Sequence, residues 1–206
     1  MNRTEAEARM QEVQRIMERT TLYTLMPGQP AIVGGILALL GCVASYAMIR
    51  SFDFEALLQL PLARQYGFCA MWAAIGIVAV GQEIVWTTRA ARREPSVMGR
   101  PARITIRSLT PCVVIATVIT IKLLLDGLMQ YVVPVWMMCY GAGVYAAGLF
   151  SLRLPRVLGI AFIVMGAVGL LACPQYALVL AGLSFGLLHV AFGLIVLTRS
   201  RKDGDR

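Results

Sequence analysis

Charge is scarce in this sequence. Asp, Glu, Lys and Arg make up 15% of the 206 residues against 58% hydrophobic, and the mean hydropathy is +0.72. A soluble domain of this size needs a polar shell around one core, so an ordinary soluble fold is excluded. Histidine occurs once, at His189. That removes HExxH zinc sites, the carboxylate and histidine metal sets of helical bundles, and bis-histidine haem ligation within one chain. No P-loop is present either. Cysteine is limited to Cys42, Cys69, Cys112, Cys139 and Cys173, all in or at the edge of apolar runs and without CxxC spacing. They read as free thiols behaving as small apolar residues, although Cys69 and Cys173 fall near the same end of their runs, which allows a disulfide. The polar, charged stretch before residue 31 is unlike a short basic n-region, so no cleavable signal peptide is expected.

What the sequence has in abundance is long apolar runs. Six lie at 31–49, 66–86, 109–125, 131–150, 157–173 and 176–197. A hydrocarbon core of about 30 Å takes roughly 20 helical residues, so 109–125 and 157–173 must stand nearly upright. None alternates with period 2, and open strands would leave backbone groups unpaired in lipid. The expected fold is therefore all-α: a six-helix transmembrane domain over 30–198, a cytoplasmic segment at 1–29 and a basic tail at 199–206.

Basic residues set the orientation, because Lys and Arg gather in short cytoplasmic loops. With the N-terminus inside, residues 3–19, 89–107, 153–156 and 199–206 hold sixteen of the 19 basic residues. Only Arg50, Arg64 and Lys122 fall outside. Both termini are thus expected to be cytoplasmic, in a bacterial inner membrane. The same bias accounts for a net charge of +8 and a pI near 9.7 without nucleic acid. Anionic lipid headgroups are the expected partners of the 87–107 loop.

Residues 4–25 read as an amphipathic helix, with a Thr4/Glu7 capping box and Ala6, Met10, Val13 and Met17 on one face. It is expected to lie on the inner surface or pack on the cytoplasmic loops, with self-association through the stripe as the alternative. The apolar 50–65 loop is expected to lie in the interface. Tyr46, Tyr66, Trp86, Tyr131 and Trp136 read as interface anchors.

Small residues recur at helical spacing: Gly34, Ala38, Gly41 and Ser45; Gly141, Tyr145 and Gly148; Gly182, Gly186, His189 and Gly193. Such faces let helix backbones approach closely where lipid removes the hydrophobic drive, which predicts a compact bundle. Polar groups inside the runs are few and costly. Glu83 and His189 both fall in the inner half, so a hydrogen bond between them is geometrically allowed, with Gln82 extending it. This set reads either as structural polar contacts or as a proton-handling or ligand site, with His189 a candidate cofactor residue. Lys122 and Asp126 read as a snorkelling i,i+4 pair. Residues 182–186 match G-x-S-x-G, with His189 following, but no strand-to-helix elbow surrounds them. On a regular helix Ser184 and His189 diverge, so a serine hydrolase is rejected.

The stretches IMERTTLYTLMPG (16–28), VPVWMMCYGAGVYAAGLFSLRLP (133–155) and GLSFGLLHVAFGLIV (182–196) resemble a six-span bacterial, acidobacterial-type membrane protein family of uncharacterised activity. Met137, Met138 and Cys139 stand here where that family usually has leucines. The resemblance implies a shared fold, places Tyr140, Gly141, Gly186, His189 and Gly193 in family-like segments, and carries no activity with it. The expected function is a non-enzymatic accessory or regulatory subunit acting by helix association, with a membrane protein partner or a homo-oligomer and no cofactor. The rivals are a proton-coupled carrier using Glu83 and His189, and a haem or lipophilic-ligand bundle.

Overall fold

A computed structural model describes residues 9–10, 28–93, 95–149 and 153–204. Among these the chain is helical throughout, with no strand. The helices are α1 (Gly28–Ile49), α2 (Leu62–Arg93), α3 (Pro95–Leu125), α4 (Val132–Gly148) and α5 (Arg153–Leu171). A final rod, α6, consists of Ala177–Ala181, a π-helical segment Gly182–Leu188 and His189–Gly204. Five stretches are long and apolar enough to cross a membrane: Gly28–Ile49, Leu62–Trp86, Thr105–Leu125, Arg153–Leu171 and Pro174–Arg199. The remaining apolar run forms α4, whose 17 residues span only about 25 Å.

Three expectations about the connections change. Most of the 87–107 segment is helix, since α2 continues to Arg93 and α3 starts at Pro95. Ala and Arg in 89–93 are strong helix formers, and Pro95 sits where its missing N–H costs nothing. The 199–206 tail is also helical as far as Gly204. The 50–65 loop folds onto the bundle end instead of lying free in the interface. Its one-turn helix Glu55–Leu58 buries Leu57 completely, with Phe54, against Ile49, Phe68, Met129 and Ala177. Phe54 N–H donates to the Gln175 carbonyl at 2.8 Å, tying the loop to the start of α6. The amphipathic helix expected at 4–25 lies outside the described residues apart from helical Arg9 and Met10.

Neighbouring helices close a circuit. α1 packs between α2 and α6, α4 between α3 and α5, α5 against the first half of α6, and α2 against α3. A second apolar core, of Met137, Val144, Leu158, Phe162, Phe192 and Val196, joins α4, α5 and α6.

Glycine sets the closest approaches. A Cβ at Gly193 would lie 2.5 Å from the Gly28 carbonyl oxygen, and one at Gly35 would lie 2.8 Å from that of Gly186. α1 and α6 therefore touch backbone to backbone at points seven residues apart on each helix. Gly41 meets Ile75 and Trp72 of α2, Gly141 meets Gly159 and Phe162 of α5, and Gly148 meets Arg156. Gly34, expected on the packing face, has only the Gln82 amide within 4 Å; Gly35, one residue on, holds the tight position. All five cysteines are free, so the Cys69–Cys173 disulfide is not formed. Cys69 packs in the loop cluster, and the Cys173 thiol donates to the Val168 carbonyl of its own helix.

Candidate functional site

The most ordered polar feature inside the bundle joins α4 to α6. Tyr140 Oη lies 2.8 Å from His189 Nε2. His189 Nδ1 lies 3.4 Å from the Ser184 carbonyl oxygen. A carbonyl only accepts, so Nδ1 carries the hydrogen; in the neutral ring Nε2 then accepts from the Tyr140 hydroxyl. Both ring nitrogens are thereby satisfied, as buried polar groups require.

Phe162 of α5 and Phe185 of α6 complete a four-ring cluster with Tyr140 and His189. Centroid separations run from 5.1 Å (Tyr140–Phe162) to 6.1 Å (Phe185–His189), and Phe162 is fully buried. These distances lie in the favourable range for aromatic pairs.

The π-helical turn explains why sequence spacing misplaced Ser184. In a regular helix residue 184 points away from 189, but an i→i+5 turn brings residue 189 back over the 184 carbonyl. The Ser184 hydroxyl itself donates to the Leu180 carbonyl at 2.6 Å. Serine and histidine side chains are thus committed elsewhere, and nucleophilic catalysis has no geometry here.

The expected Glu83 to His189 hydrogen bond is not made. α2 packs on α1 while α4 lies beside α6, so Tyr140 reaches the imidazole instead. Glu83 is half-buried and, among the described residues, has no hydrogen bond or ion pair. It stays within electrostatic range of Tyr140. Gln82 turns toward α1, where its Nε2 donates to the Pro30 carbonyl at 3.0 Å, while its Oε1 is buried without a partner among the described residues. The three candidate polar residues therefore do not form one hydrogen-bonded set.

Two indole hydrogen bonds were hidden from sequence reading. Trp72 Nε1 donates to Ser45 Oγ at 3.0 Å, and that hydroxyl donates to the Gly41 carbonyl. Trp136, expected as an interface anchor, donates to Thr120 Oγ1 of α3 at 2.8 Å. Lys122 and Asp126 pair at 2.6 Å on the exposed surface, as expected.

His189 offers no place for haem iron: its Nε2 is bonded to Tyr140, and aromatic rings pack around the imidazole. Among the described residues no group of three or more His, Cys, Asp or Glu could hold a metal ion. No protein-family model, curated protein or solved structure matches the chain.

Proposed function

We propose that the chain is a six-span protein of a bacterial inner membrane, with both termini cytoplasmic, serving as a non-catalytic accessory or regulatory subunit that works by helix association. α4 would be the sixth span, and the basic bias supports the orientation. Membership of the acidobacterial-type family it resembles belongs to the same reading.

One observation carries it. Every glycine of α1, α4 and α5, and Gly182, Gly186 and Gly193 of α6, has another part of the protein within 4 Å of a built Cβ. Gly67, Gly76 and Gly81 of α2 have nothing. Helical spacing aligns Gly67 and Gly81 with Ala63, Ala70 and Ala74, on the face turned away from the Phe68, Trp72, Ile75 and Gln82 side that meets α1. The span Leu62–Trp86 is 6% buried, against 28–33% for those of α1, α5 and α6. A small-residue face with no helix against it is the form that membrane helix association uses. Photo-crosslinkers at Ala70 and Ala74 are expected to capture a discrete partner or second copy, while one at Val118 on the outer face of α3 captures none. Equal labelling at all three sites would overturn the reading.

A second reading, a proton-coupled carrier, rests on an unpaired Glu83 in electrostatic range of the Tyr140–His189 pair. Glu83→Gln would then abolish pH-dependent uptake in a folded protein; unchanged uptake removes it.

A further inference from the structure

α1 and α6 meet tightly at one end and part at the other. Gly28 and Gly193 touch, then Gly35 and Gly186, but a Cβ at Gly182 would sit an ordinary 3.6 Å from the Cys42 thiol. Beyond that point the helices leave an open groove of about 360 Å³, lined on one side by Leu39, Cys42, Val43 and Tyr46, and on the other chiefly by Leu178, Gly182, Leu183 and Leu187. From Leu178 to Leu187 it runs on the order of 13 Å along the helix axis. The π-helical turn contributes Leu183 and Leu187, so the groove is built by the same irregularity that places His189.

The groove's far end lies at the last turn of α1. Tyr46 and Phe52 stack there with centroids 4.6 Å apart. Arg50 sits between them in the chain, its N–H donating to the Tyr46 carbonyl at 2.7 Å. Its backbone is left-handed, with φ 59°, at a helix end where glycine is usual. The Arg50 side chain is exposed and makes no ion pair or hydrogen bond among the described residues. The nearest carboxylate in sequence, Asp53, is engaged by the Glu55 N–H.

We infer that this groove is a phospholipid site: one acyl chain lies between α1 and α6, and the anionic headgroup is held by Arg50. Three features select that occupant. The walls offer hydrocarbon along the length of the groove and a cation at its mouth, which matches an anionic amphiphile end to end. Leucine, valine, tyrosine and phenylalanine dominate the walls, which keeps a second helix backbone at a distance while a single flexible chain fits. Finally, Gly182 already has Cys42 in van der Waals contact, so it offers no small-residue seat for a partner helix.

The test uses the full chain, purified in mild detergent after reconstitution with phosphatidylglycerol and phosphatidylcholine of identical acyl chains. Intact mass spectrometry then counts retained lipid. One phosphatidylglycerol per chain is expected, preferred on the order of tenfold over phosphatidylcholine, as one charge-assisted contact implies. Arg50→Gln should erase the preference while leaving helicity unchanged. Val43→Phe, which fills the groove from an exposed position, should release both lipids; Gly182→Leu is a second filler should the first not fold. Equal retention of the two lipids by the natural chain, or retention indifferent to both kinds of variant, overturns the proposal. So does a dimer that Val43→Phe dissociates, which would make the groove a protein interface.

Discussion

The Tyr140 hydroxyl and the His189 imidazole meet at 2.8 Å across the α4–α6 contact, and each is the other's polar partner inside an otherwise aromatic cluster. Because the imidazole is also held by the Ser184 carbonyl, its orientation is fixed from two sides. Tyr140→Phe keeps the ring packing and strands Nε2. The expected loss is about 1 kcal/mol, within the range for hydrogen bonds between membrane helices. Phe162→Ala, which empties the fully buried centre of the cluster, is expected to cost about 3–5 kcal/mol. Reversible unfolding in mixed micelles measures both, and a Tyr140→Phe loss equal to that of Phe162→Ala would contradict the assignment.

Glycine substitutions should divide by helix. A Cβ at Gly193 would press on the backbone carbonyl of Gly28, which cannot swing aside as a side chain does. Gly193→Ala is therefore expected to destabilise by about 1–3 kcal/mol, the usual range for overpacking. Gly67→Ala and Gly76→Ala meet open space and should leave the monomer as stable as before or slightly more so, since alanine favours helix by up to about 1 kcal/mol. Thermal unfolding of the three variants side by side checks the contrast.

The folded-back loop depends on Leu57, which is fully buried between the ends of α1 and α2. Leu57→Ala is expected to cost about 2–5 kcal/mol and to expose the loop to protease, a sensitivity that a loop merely resting in the interface would not acquire. Limited proteolysis before and after substitution reads it directly.

With five free cysteines, denaturation without reductant followed by alkylation should add five labels per chain. Three labels would show that a pair is oxidised.

The apolar runs made the helices legible, because length and hydropathy alone decide whether a segment can cross lipid. The close approaches at Gly41, Gly141, Gly148, Gly186 and Gly193 were legible for a similar reason: small residues at helical spacing have few other uses in a bundle. Gly34 against Gly35 was not, since a one-residue shift turns a helix face by about 100° and only the neighbour's position decides between them. The partner of His189 depended on which helices are adjacent, and loop lengths do not state that. The π-helical turn was hidden too, as 182–188 reads equally well as regular helix until α1 is packed against it. Tyr140 carried a faint signal, a polar tip one residue from the packing glycine Gly141.

The most direct test of the association claim is the intact mass of the complex, extracted gently from its own membrane, for the natural chain and for Gly67→Leu with Gly81→Leu. The account predicts a stoichiometric second helical chain or copy on the natural protein, and a folded monomer from the variant. A natural chain that emerges alone with lipid, or a complex that both substitutions leave intact, would contradict it.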